Sequence, residues 1–219
     1  EGENSRLYSA VEAVSDFACD LGINIPTGKD SLSMTQKYKD DVVYAPGTVI
    51  ISSVGEVENI RQTTRPVLVP DANSKLVYID FSSDEYNLGG SSFAQIRNFL
   101  GANTPTVKDV NYFGKAFETI QSLIRKDLIL AGHDISAGGM ITALLEMCFG
   151  RNDLGLNIDL SAINNDDIIK VLFSENPGIL VQIANDSDAL SILEKAGIKF
   201  ETIADVNLKR EFTLNHSSA

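Results

Sequence analysis

Leu154-Gly155-Leu156-Asn157-Ile158-Asp159-Leu160 alternates a large apolar residue with a small or polar one, the two-residue period of a strand with one buried face. Behind it come an apolar helical pattern over 166–173, a β-rich run over 178–184, a helical pattern over 187–196 closed by Gly197, and a strand over 199–206. Helices alternating with strands at this spacing predict a mixed sheet with helices packed on one or both faces, an α/β fold of mixed α+β character.

Upstream the same pattern continues. Leu76-Val77-Tyr78-Ile79-Asp80-Phe81 reads as a strand, and Leu88-Gly89-Gly90-Ser91-Ser92 as a turn into a short helix ending near Leu100. Phe113, Ala116, Phe117, Ile120, Leu123 and Ile124 form the apolar stripe of a helix over 111–126. Before the first strand, Pro66 and Pro70 interrupt ladder pairing and the polar cluster Asp71-Ala72-Asn73-Ser74 follows, which sets a domain boundary. The chain divides on this reading into a first piece, 1–65, an α/β domain, 66–206, and a polar tail, 207–219, expected to fray.

In the first piece, Leu7, Val11, Val14, Phe17, Ala18 and Leu21 recur at helical steps, with Gly22 as the stop. Ile23-Asn24-Ile25 is strand-like and runs into a polar turn, and the β-branched run over 48–57 predicts a buried strand. The sequence begins without Met and enters a helix almost at once, as expected of a segment cut from something longer.

The 219 residues carry 30 acidic against 18 basic side chains, a formal charge of -12, and 43% hydrophobic residues. Such a chain can bury a core, and its acidity disfavours nucleic acid and anionic membranes as partners, both of which are held by clustered Lys and Arg. No apolar run reaches the roughly 20 residues of a bilayer span, and no signal peptide opens the chain, which predicts a cytoplasmic protein. Cys19 and Cys148 lie inside apolar helical patterns without a nearby His, which points to packing rather than to a disulfide, a nucleophile or zinc.

Two turns have the residue types for phosphate chemistry. In Thr27-Gly28-Lys29-Asp30-Ser31, Gly permits close approach, Lys offers a cation, Asp can hold Mg²⁺ and Ser can hydrogen-bond an anion. The Walker A spacing is absent, and an ordinary surface loop has the same residues. In Gly132-His133-Asp134-Ile135-Ser136-Ala137-Gly138-Gly139, a Gly pair opens a helix whose first N–H groups suit an anion, with an oxygen ligand and a hydroxyl just before it. A helix start capped by Ser136 or Asp134, its glycines serving packing, accounts equally well for these residues. Gly89-Gly90-Ser91-Ser92 reads by default as a helix cap.

Taken in order, Ile25-Pro26-Thr27-Gly28-Lys29-Asp30-Ser31-Leu32-Ser33-Met34, Leu88-Gly89-Gly90-Ser91, His133-Asp134-Ile135-Ser136-Ala137-Gly138-Gly139 and Leu172-Phe173-Ser174-Glu175-Asn176-Pro177-Gly178 resemble the phosphoribosylformylglycinamidine synthases in their large, single-chain form. The resemblance implies the end of an ATP-binding domain, a partial aminoimidazole-ribonucleotide-synthetase-like N-terminal domain, over 1–65. A complete synthetase-like C-terminal α/β domain follows over 66–206. It implies the ATP- and glutamine-dependent conversion of formylglycinamide ribonucleotide to formylglycinamidine ribonucleotide, with Mg²⁺ and ATP as cofactors and a glutaminase domain among the partners. Residue by residue, Asp134 carries over as a Mg²⁺ ligand and Ser136 as an ATP contact. Gly28 carries over near nucleotide and Ser31 near substrate phosphate, while Lys29 is a nucleotide contact by its charge alone. No catalytic residue is assigned, since other ligands and loops of the family have no counterpart here, and the chain by itself is expected to be inactive and to bind Mg-ATP weakly or not at all. The alternatives are a non-catalytic nucleotide-binding or scaffold module and another ATP-dependent member of the same superfamily.

Overall fold

The computed structural model describes residues 2–29, 34–45 and 47–216. They form two compact units, Glu1–Glu58 and Asn59–Ala219. In the first, helix α1 (Glu3–Asp20) buries Ala18 and half-buries Leu7, Ala10, Val14 and Phe17, the face set by steps of three and four. Val11, at the margin of that stripe, is exposed. Cys19, expected to pack, is also exposed, because it lies one residue, about 100°, round from Ala18.

Strands β1 (Thr35–Tyr38) and β2 (Asp41–Tyr44) pair antiparallel through Lys39-Asp40, with Lys39 at φ 48°. Sequence reasoning assigns no element here, because Lys-Asp lacks the Asn-Gly type of hairpin signal. The buried strand expected over 48–57 does not form. No partner pairs with it among the described residues, and Ile50 and Val54 stand in solvent, as β-propensity without a neighbouring strand does not make a ladder. The strand-like stretch Ile23-Asn24-Ile25 is unpaired for the same reason.

The second unit is built on six strands in the order β4-β6-β3-β7-β5-β8. These are β3 (Ser74–Asp80), β4 (Ala131–Asp134), β5 (Gly155–Asp159), β6 (Gly178–Ala184), β7 (Glu201–Asn207) and β8 (Phe212–Asn215). Neighbours run antiparallel except β5 and β8, which are parallel. Helices α4 (Gly139–Phe149) and α5 (Ile168–Phe173) cover one face, packing Met140, Leu144, Met147, Val171 and Leu172 against Leu76, Leu156 and Leu180. Helices α3 (Val110–Arg125) and α6 (Ala189–Lys195) cover the other, packing Ala116, Ile120, Leu123 and Leu193 against Val77, Ile79 and Val181. The result is three layers, and the central strands β3 and β6 therefore read as near-continuous apolar runs. Strand β5, nearer the sheet's margin, keeps the alternation of the opening stretch, with Asn157 and Asp159 exposed.

Within the sheet, the fully buried Gln182 accepts from Val69 N–H at 2.8 Å and donates to Val69 O at 2.9 Å and Ser74 Oγ at 2.8 Å, which pins residue 69 to β6. Residues 59–65 lie with the second unit, where Gln62 Nε2 donates to Arg125 O at 3.3 Å and Gly132 N–H to Arg65 O at 3.0 Å.

The expected frayed tail is instead ordered through residue 216. Strand β8 pairs with β5 from Leu156↔Phe212 to Asp159↔Asn215, and His216 is buried with Nε2 3.0 Å from Asn165 O. An edge strand can be polar because one side of it stays in water, and this hides it from hydropathy. Asn207 helps to close the connection, donating to Asn157 Oδ1 at 3.0 Å and Glu211 O at 3.1 Å.

Candidate functional site

Strand β4 ends at Asp134, after which Ile135 N–H still donates to Gly178 O at 2.9 Å and the chain then leaves the sheet for α4. The Asp134 carboxylate is 77% exposed and Ser136 is exposed beside it. His133, by contrast, is 14% exposed, and its ring nitrogens each face an oxygen acceptor. Nδ1 lies 2.8 Å from Asp134 O and Nε2 lies 3.0 Å from Glu146 Oε2 on α4. The ring thus fixes the backbone at Asp134 while the carboxylate projects into solvent. On the flank of β4 a cleft of about 180 Å³ runs from His133 and Asp134 to the apolar side chains Ile120, Ile124 and Ile129.

The start of α4 differs from expectation. Neither Ser136 nor Asp134 caps it; the cap position is Gly138, at φ 90°. Two N–H groups at this helix start are engaged within the chain. Gly139 N–H donates to Ser136 O at 3.0 Å, and Gly138 N–H donates to Glu175 Oε1 at 2.8 Å. The glycines are required by space and backbone, since a Cβ on Gly139, at φ 75°, would meet Leu172 O at 2.6 Å and Phe173 at 2.8 Å.

Glu175 lies between α5 and β6, and the same oxygen accepts from Ser92 N–H, also at 2.8 Å, at the first turn of α2 (Ser92–Ile96). Ser91 caps this helix as read from sequence, its hydroxyl accepting from Ala94 N–H at 3.2 Å. The helix is shorter than expected, ending before Asn98, which adopts φ 59°. Around Glu175 the polar groups interlock. Ser174 Oγ contacts Asn87 O at 2.9 Å and the Asn176 side-chain oxygen, and Asn176 Nδ2 donates to Ser82 Oγ at 3.0 Å and Glu85 O at 3.2 Å. Asp80, at the end of β3, accepts from Ser82 Oγ at 2.6 Å and from Ser83 N–H at 2.9 Å. Two phenols, the buried Tyr78 and the half-buried Tyr86, feel the Asp80 charge. Burial, followed by Tyr86 and Asp80, pushes Tyr78 well above the ordinary tyrosine value, and burial foremost pushes Tyr86 up to about 12. A polar groove of about 680 Å³ between the 83–87 and 102–108 loops is lined by Asn87, Asn103, Thr104 and Lys108.

The structure brings Asp134 and Ser136 onto one turn. Gly28 and Lys29 stand exposed in the first unit, where a Cβ on Gly28 would meet nothing within 4 Å. Ser31 lies outside the described residues. Glu175 is the residue that sequence reasoning passed over. Its signal is a carboxylate between a helix and a strand in Ser174-Glu175-Asn176-Pro177, but both partners are distant in sequence.

Residues 76–217 match the family model "AIR synthase related protein, C-terminal domain". The chain belongs to the AIR synthase related family. Residues 1–56 of this family member match a second model, the FGAR-AT PurM_N-like domain. It is 37% identical over 215 residues to a probable phosphoribosylformylglycinamidine synthase of Caenorhabditis elegans, covering 93% of this chain and 16% of the relative. It is 38% identical over 196 residues to the probable chloroplastic/mitochondrial phosphoribosylformylglycinamidine synthase of Arabidopsis thaliana, covering 89% of this chain and 14% of the relative. The chain therefore spans about a sixth or less of these relatives. Among solved structures, T. maritima PurL complexed with FGAR superposes with a TM-score of 0.63 at 16% identity, covering 95% of this chain and 35% of that one. T. maritima PurL complexed with ATP gives 0.61 at 15% identity, covering 95% and 33%. At this identity the likeness establishes the fold, a mixed α/β unit of the PurL type.

Proposed function

We propose that this chain is a segment of a phosphoribosylformylglycinamidine synthase, a cytoplasmic ATP-dependent C–N ligase of purine biosynthesis that takes ammonia from glutamine. The observation that carries the reading is the 37% identity to the nematode synthase across 93% of the chain, which includes the Asp134–Ser136 turn. The segment comprises the end of an ATP-binding domain and a following α/β domain. Its partners are the remaining domains of the synthase, a glutaminase domain among them, with ATP and formylglycinamide ribonucleotide as ligands.

The donor set fits Mg²⁺ as one contributor to a shared site. Mg²⁺ takes one or two carboxylates and completes its shell with water and phosphate oxygens, and Asp134 offers one exposed carboxylate at a backbone held by His133. Among the described residues no three His, Cys, Asp or Glu gather as a metal-holding group, so further ligands come from ATP and from other domains. Bound Mg-ATP supplies an activated phosphoryl group whose charge the metal offsets. This chain's part at the β4–α4 turn is to hold and orient it, Asp134 toward the metal and Ser136 toward the nucleotide. By the resemblance alone, Gly28 and Lys29 of the first unit are nucleotide contacts and Ser31 a contact of substrate phosphate.

The purified 219-residue chain is accordingly expected to show no synthase turnover and to bind Mg-ATP weakly or not at all. Robust formation of formylglycinamidine ribonucleotide by this chain alone contradicts the reading.

A further inference from the structure

We propose that Glu175 is a positioning residue for the turn that carries Asp134 and Ser136. The proposal rests on the reading of that turn given above and adds what sets its geometry. Asp134 is anchored on one side by its pairing with Ile179 in β6. On the other side the chain enters α4 through Gly138, which has no side chain with which to cap the helix and sits at φ 90°, the left-handed region open to glycine. The acceptor comes from 37 residues away, where Glu175 Oε1 receives Gly138 N–H at 2.8 Å. A charged oxygen at a helix start is favoured by the helix dipole and by the strength of a charge-assisted bond.

Two further facts make Glu175 a clamp rather than a local cap. The same oxygen receives Ser92 N–H at 2.8 Å, so a single carboxylate holds the 88–92 turn and the β4–α4 turn in one arrangement. The segment that carries it is itself fixed at the next residue, because Asn176 is buried and bonded to Ser82 and Glu85. Without this clamp, the glycine pair at 138–139 leaves the start of α4 free to shift, and Asp134 and Ser136 lose their mutual aim.

The test is amide exchange and Mn²⁺ broadening measured by NMR on the isotope-labelled chain, comparing wild type, Glu175→Ala and Glu175→Gln. In Glu175→Ala the amides of Ser92 and Gly138 should both exchange about tenfold faster, while those of β3 and β6 keep their rates. The Mn²⁺ concentration that broadens Ser136 should rise by about tenfold or more. Glu175→Gln keeps an accepting oxygen and should recover most of both effects. Unchanged exchange in Glu175→Ala overturns the proposal, and so does faster exchange with an unchanged Mn²⁺ response, which is the signature of a purely structural bond. If the wild-type chain shows no broadening around Asp134, the metal reading itself falls, and the exchange rates alone then decide whether Glu175 holds the turn.

Discussion

At the residue scale, much of the second unit's geometry depends on single atoms. Gly139→Ala would drive a Cβ into the Leu172 and Phe173 backbone at 2.6–2.8 Å from a left-handed φ. It should lower the free energy of unfolding by about 2–4 kcal/mol, as left-handed strain and overpacking add. Urea unfolding measures this, and a loss below about 1 kcal/mol would contradict the packing described. Tyr86 sets a pH limit. Burial keeps its phenol protonated to about 12 in the folded chain, whereas the unfolded side chain ionises near its ordinary 10. The folded state thus binds the proton more tightly, so this contribution is whole below pH 10 and is lost as pH rises toward 12. Two pH units correspond to about 3 kcal/mol, so stability should fall over that window and fall less in Tyr86→Phe. Equal pH profiles for the two proteins would contradict the assignment. Asp134 and Ser136 lie two residues apart, so the sequence already groups them, but a helix cap explained that grouping as well and only the resemblance implied their roles. Glu175 could not be grouped in this way, because its partners Ser92 and Gly138 come together only when β6 is placed in the sheet.

At the scale of elements, strands buried on both faces were plain in the sequence, and β3 and β6 begin and end within two residues of the apolar runs that suggest them. Strand β4 was masked by its residues Ala131-Gly132-His133-Asp134, which carry no β-propensity, and it forms because β6 offers an edge to pair with. The run over 48–57 is the converse, strong in propensity and lacking a partner among the described residues. Strand β8 was hidden by its polarity. Its contribution can be measured: ending the chain at Asn207 removes the acceptors of Leu156 N–H and Leu160 N–H, which are Glu211 O and Asn215 O at 3.0 Å. Those two amides should lose their exchange protection and the melting temperature should fall, by several degrees for each kcal/mol lost in a unit of this size. Retention of protection at both would show that β8 is not part of the folded sheet.

At the scale of the whole molecule, family membership rests on residues 76–217. The two compact units should respond separately to protease, with cleavage close to residue 58 leaving a resistant piece that contains the six-stranded sheet. Early cuts within β3 or β6 would contradict that division. The proposed site is an exposed turn at the end of β4, with the His133 contact to Asp134 O on one side and the Glu175 bond to Gly138 N–H on the other. The claim that this turn faces Mg-nucleotide is tested most directly by titrating the labelled chain with Mg-ADP and following its amide resonances. Weak binding should shift Asp134, Ser136 and their neighbours, and Asp134→Ala should abolish the shifts with the fold intact. Shifts that persist unchanged in Asp134→Ala, or that leave this turn untouched, would contradict the account.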